Sequence, residues 1–166
     1  MAANMFIVFK TPDIKGESAD STHTDQIQVL SWSHSFNQPT SPTRSSAGSG
    51  TVEQANHSDF SFTKYTDAST DDLLKMCWSG KQIGTATFTA YRSDGDNKAI
   101  KYLDIEMTGV IVSNVSIGGG TGDISTETVT LSYNSVKYTY IQQKAADGTG
   151  GGNEPVKHDL AKQEVS

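Results

Sequence analysis

The sequence predicts a mainly β fold: two antiparallel sheets, packed together or closed as a barrel, with one α-helix outside. Three features carry this expectation. Most apolar residues fall in short segments that alternate apolar and polar, as in Gln26 to Trp32 and Asp59 to Tyr65. Alternation marks half-buried strands, because successive side chains point to opposite faces of a sheet. One segment, Thr70 to Ser79, instead has helical spacing and signals at both ends. Finally, a polar connection from Asn37 to Asn56, without periodicity of its own, separates two of the strands.

In chain order, Met5 to Lys10 is a strand, and Pro12, Asp13 and Gly16 mark the loop after it. A strand from Gln26 to about Phe36 follows, then the long connection, then the strand ending near Tyr65. The helix has Ser69 or Thr70 to cap it, Asp71 and Asp72 at the positive end of its dipole, and Gly80 at the C-terminal left-handed position. Leu73, Leu74, Cys77 and Trp78 are expected to share its buried face.

Beyond the helix the chain is all strand. Ala86, Phe88 and Ala90 alternate with Thr85, Thr87 and Thr89, and Asp94-Gly95-Asp96-Asn97 makes a hairpin turn. Lys101 to Thr108 and Val110 to Ile117 are two further strands, ending at the glycines 118–120. The last long segment changes phase near Asn134-Ser135, because Val129, Leu131 and Tyr133 are odd-numbered while Val136, Tyr138 and Tyr140 are even. A bulge in a bent strand, or a tight turn, is expected there. A glycine-rich tail, Ala145 to Asn153, leads to a short segment Val156 to Ala161.

At 166 residues the chain is expected to form a single domain spanning 1–166. Its mean hydropathy of −0.46 is polar, yet 34% hydrophobic residues suffice for a core. With a net charge of −6 and only Arg44 and Arg92 as arginines, it offers no basic surface for nucleic acid. Cys77 is its one cysteine, so no intramolecular disulfide forms. Met1 to Lys10 lacks a charged start and a long enough apolar run for a signal peptide, and no run reaches membrane-spanning length. Synthesis in the cytoplasm, without membrane insertion, is expected.

Catalytic signatures fail one by one. Gly118 to Asp123 has the glycines of a phosphate loop but not its Gly-Lys-Ser/Thr ending. Asp94-Gly95-Asp96 opens like a calcium loop, but Ala99 and Ile105 stand where the bend and the bidentate carboxylate belong. His23, His34, His57 and His158 have no metal-ligand spacing, and Ser49 lacks the glycine two residues before it that a nucleophile elbow needs. No enzyme activity, cofactor or metal is expected. A secreted β-sandwich binding carbohydrate through loop hydroxyls and Trp32 or Trp78 is the alternative to the reading that follows.

Several segments together resemble the haemolysin-coregulated protein (Hcp) family of type VI secretion. They are Ile14 to Ser18, His23 to Ser33, Phe60 to Tyr65, Tyr102-Leu103, Val110 to Ser113, Thr126-Glu127 and Gln143 to Ala145, in order over nearly the whole chain. The chain departs from the family pattern at His34, where a second tryptophan is frequent, at Pro39 and Pro42 in the long loop, and at His158, where an aromatic is common. The resemblance implies a β-barrel with one helix that forms hexameric rings stacked into a hollow tube. It implies a contractile sheath, a spike protein and small effector proteins in the lumen as partners, and export without a cleaved signal. Such a ring needs head-to-tail contacts, for which the loop residues Pro39, Pro42, Arg44, Ser46, Gly48, Gly50 and Val52 are candidates. Ser31, Ser33 and His34 are candidates to face the lumen, with Thr85, Thr87 and Thr89 as further small polar side chains.

Overall fold

The computed structural model describes residues 5–39, 55–93, 99–143 and 150–166. Among the described residues, twelve strands and one helix occur in the order β1 (Met5–Lys10), β2 (Ile27–Gln28), β3 (Ser31–Ser33), β4 (Phe36–Asn37), β5 (Asn56–His57), β6 (Phe60–Tyr65), α1 (Thr70–Ser79), β7 (Ile83–Ser93), β8 (Ala99–Gly118), β9 (Thr126–Ser132), β10 (Ser135–Gln143), β11 (Gly150–Asp159) and β12 (Glu164–Val165). All pairing is antiparallel. One sheet runs β12-β11-β10-β8-β7-β1-β2, and a second runs β3-β6-β9 and ends on β8.

β8 belongs to both sheets, so the two segments read as separate strands are one. Its first half pairs with β7 and β10, its second half with β9. The corner is Gly109, at φ 63°, where a Cβ would stand 2.4 Å from Asn134 Nδ2. Glycine alone takes that conformation without strain. Across from it, Tyr133 and Asn134 join β9 to β10. The register is kept through the corner, from Thr108↔Ser135 to Ile111↔Ser132. Both partners therefore swap their inward face at one level: β8 from Ile105 and Met107 to Val110 and Val112, the other from Val136 to Leu131 and Val129. The phase change near Asn134 is this corner, with no residue inserted.

The expected strand from Gln26 to Phe36 is broken into β2, β3 and β4, because it serves three partners. β2 pairs with β1, β3 with β6, and β4 with β5. Between the first two, Val29 N–H donates to Met5 O (3.0 Å) and Leu30 N–H to Thr63 O (2.7 Å). That crossing bridges the two sheets on the side away from β8. The glycine-rich tail is also reassigned: from Gly150 onward it is strand, paired along β10. The Asp94 to Asn97 turn lies outside the described residues.

One continuous core fills the space between the sheets, with Phe9, Phe60, Phe62, Phe88, Ile105 and Leu131 among its fully buried side chains. α1 packs on β8 through Leu73 and Met76. Trp78, expected on the buried face, is 79% exposed, and Met76 takes its place. Leu73 and Met76 are one turn apart on the face that Thr70 starts, and Trp78 falls round the helix from them. Gly80 ends the helix at φ 66° as expected, while Ser69 makes no side-chain cap bond.

Candidate functional site: a hydroxyl face and a histidine–tyrosine neck

The outward face of the second sheet is built by alternation. Phe60, Phe62 and Lys64 point in, so Ser61, Thr63 and Tyr65 point out; Glu127, Val129 and Leu131 point in, so Thr128 and Thr130 point out. Register aligns them in rows across four strands. Ser31, Thr63, Thr128 and Ser116 form one row, and Ser33, Ser61, Thr130 and Asn114 form the next. A bulge between Val112 and Asn114 leaves Ser113 outside, 3.0 Å from Asp59 Oδ2 and 3.1 Å from Thr130 O. These two rows consist of hydroxyls and one amide.

The charges of these strands are turned inward. Lys64 and Glu127 face each other across β6 and β9, fully buried, with Lys64 Nζ 3.2 Å from Glu127 Oε1 and 3.0 Å from Asp67 Oδ1. Thr70 Oγ1 donates to Glu127 Oε2 (2.5 Å), which ties the first turn of α1 to the sheet. Sequence reading missed this group. Its signal was there: Lys64 stands at an inward position of the Phe60-Phe62 alternation.

Of the three candidate lumen residues, Ser31 and Ser33 lie on the hydroxyl face and His34 does not. His34 enters a second constellation, at the neck where β4 and β5 leave the two sheets for the long connection. Its Nδ1 meets the Tyr138 hydroxyl, and its Nε2 lies 2.8 Å from the Tyr133 hydroxyl. The same Tyr133 hydroxyl is 2.7 Å from His57 Nδ1, and His57 Nε2 is 2.7 Å from His158 Nδ1. Five rings from β3–β6, the corner, β10 and β11 thus form one hydrogen-bonded chain. Burial holds His34 down to about 4. Burial, and then the neighbouring His158, lowers His57 from its ordinary value. Both phenols are pushed well above the ordinary tyrosine range, by burial first. The histidines have no common spacing along the chain, and only the corner and the neck bring them together.

Beside this chain lies an apolar groove of about 400 Å³, lined by Phe36, Ala55, Val136, Tyr138, Val156 and Val165 with the two rings His57 and His158. Thr85, Thr87 and Thr89 stand on the outer face of the first sheet, opposite Asp104, Glu106 and Thr108 of β8. Of the candidate contact loop, Pro39 is half-buried at the neck; Pro42, Arg44, Ser46, Gly48, Gly50 and Val52 lie outside the described residues. Of the two tryptophans of the carbohydrate alternative, Trp32 packs against Phe60 and Phe88 at 5.8 and 5.1 Å, whereas Trp78 is 79% exposed. Among the described residues, no group of three or more His, Cys, Asp or Glu side chains is placed to hold a metal, and no helix is long and apolar enough to cross a membrane.

Comparison with known families matches residues 7–140 to the family described as type VI secretion system effector, Hcp. The chain is 43% identical over 159 residues to Protein hcp1 of Pseudomonas aeruginosa, covering 95% of this chain and 94% of that one. Among solved structures, Hcp1 from Salmonella typhimurium is similar at 28% identity and a TM-score of 0.78, with 100% of both chains covered. A structure described as a type six secretion system protein shares the fold at TM-score 0.87 and 24% identity, covering 99% of this chain and 100% of that one.

Proposed function

The chain belongs to the Hcp family of type VI secretion, and we propose that it is a tube subunit that forms hexameric rings, stacks them into a hollow conduit and carries effector proteins inside. The observation that carries this is the hydroxyl face of the second sheet. A conduit wall has to stay wet and must not hold its cargo by charge. Hydroxyls donate and accept hydrogen bonds with side chains of either sign at small individual gain. Ser31, Ser33, Thr63 and Thr128 are read as lining the lumen. The charged outer face of the first sheet, with Glu106 and Lys137 paired across β8 and β10, is read as facing away from it. The long connection is the arm between neighbouring subunits. Sheath and spike proteins are the further partners, the chain is exported to the medium or a target cell, and it carries out no catalysis of its own.

Cysteine labelling tests the lumen reading. With Cys77 replaced by Ala, Thr128→Cys should react with a small maleimide in free rings and in tubes. A bulky polyethylene-glycol maleimide should label it in free rings and be strongly slowed in stacked tubes. Equal labelling by the bulky reagent before and after stacking would place this face outside.

A further inference from the structure

We propose that the ring chain His158–His57–Tyr133–His34–Tyr138 is an acid-operated latch on the neck of the long connection, closed while it carries at most one extra proton and opened by the second. The argument is a count of donors and acceptors. A neutral imidazole has one N–H and one bare nitrogen, and a phenol can donate once and still accept. With all five groups neutral, the four contacts are satisfied when the donors point one way. Tyr138 O–H donates to His34 Nδ1, His34 Nε2–H to Tyr133, Tyr133 O–H to His57 Nδ1, and His57 Nε2–H to His158 Nδ1.

One extra proton fits this chain. If His57 carries it, His57 donates both ways, Tyr133 turns its hydrogen to His34 Nε2, and His34 donates to Tyr138. A second proton does not fit. On His158 Nδ1 it sets N–H against N–H across 2.7 Å. On His34 it aims two N–H groups at the Tyr133 oxygen and leaves the phenol hydrogen without an acceptor in the chain. Two like charges then also face each other, with ring centres 4.6 Å apart for His57–His158 and 6.4 Å for His34–His57.

The surroundings fit a device that tolerates one charge. Asp59 is the carboxylate facing His34 and Tyr133, and it is shared with the Ser113 hydroxyl. Lys157 is the cation beside His57 and His158 in the groove, and Asp159 and Glu164 pair one position past His158. Of the other neighbours of the rings, Phe36, Phe60, Val136 and Val156 are apolar, while the Ser58 backbone bonds His34 and favours its charged form, less than burial disfavours it. Against the long ladders of the two sheets the neck is slight. It consists of the pairs Phe36↔His57 and Asn37↔Asn56, the bond from Ser58 N–H to Ser35 O (2.9 Å) and that from Ser35 N–H to Ser58 Oγ (2.8 Å).

Burial already disfavours charge on His34 and His57. An open neck takes up protons near the ordinary value of 6.5, whereas closed His34 does so only near 4. Closure is therefore fully present above about 6.5 and weakens as pH falls between those two values, since the open form binds more protons there. One copy of the chain suffices for the latch, so it does not depend on ring formation.

Amide hydrogen exchange on the full-length protein, read as protection factors, tests it. Between about pH 6 and 4.5, Asn37, Asn56 and Ser58, whose amides the alternation of the antiparallel ladder turns across the neck, should lose at least about tenfold protection, while Phe88 and Ile105 keep theirs. The opening constant should rise by up to about a hundredfold per pH unit, the slope of a two-proton uptake. His158→Gln keeps an acceptor opposite His57 but cannot be charged, and it should move the midpoint down by about one pH unit. Should that variant fold poorly, carbon-13 titration of the native histidines decides instead: two rings titrating in one cooperative step support the latch, and three independent curves overturn it. Neck protection that is flat to pH 4, falls in step with Phe88, or keeps its midpoint in His158→Gln also overturns it.

Discussion

Lys64 shows how much one inward side chain fixes. Its ammonium is wholly buried between Glu127 and Asp67, with the carbonyl of Tyr65 at 3.1 Å as a further acceptor. Removing the cation leaves two carboxylates with no counter-charge, and breaking a buried pair costs about 3–5 kcal/mol. Lys64→Met should therefore lower the denaturant midpoint by that much stability at fixed protein concentration. The double change with Glu127→Leu should recover most of it, because an apolar pair replaces a charged one. A loss under about 1 kcal/mol in the single variant would mean that water reaches the cluster. The inward position of Lys64 was readable from alternation, but its partner Glu127 was not, because it is 63 residues away in sequence. The ring chain was hidden for the same reason.

At the scale of elements, β1, β6, α1 and β7 follow directly from local pattern, since each has one buried face and clear ends. β8 does not. A glycine after Thr108 reads as a strand end, yet Gly109 bends the strand while its pairing continues on both sides. The extended Gln26 to Phe36 segment erred the other way, because alternation cannot report that the partner strand changes twice. Gly109→Ala tests the corner. A Cβ there meets Asn134 Nδ2 at 2.4 Å and Gln82 Nε2 at 2.8 Å on a backbone with φ 63°. The expected loss is about 1–3 kcal/mol, measured by denaturant unfolding, with the far-ultraviolet spectrum kept. An unchanged midpoint would mean that the corner relaxes without cost.

At the scale of the whole molecule, the two sheets offer unlike outer faces, one charged and one of hydroxyls, and the neck carries a connection too long to serve only as a turn. Deleting residues 40–50 should leave the barrel folded and weaken stacking of rings or export; undiminished tubes from that deletion would remove the arm from the account. The proposed tube role rests on this chain fitting against copies of itself. Native mass spectrometry of the purified protein, read together with negative-stain images of the same sample, tests that most directly. The account predicts a six-subunit mass and rings with an open centre, whereas a monomer that persists at high concentration, with no rings in the images, would contradict it.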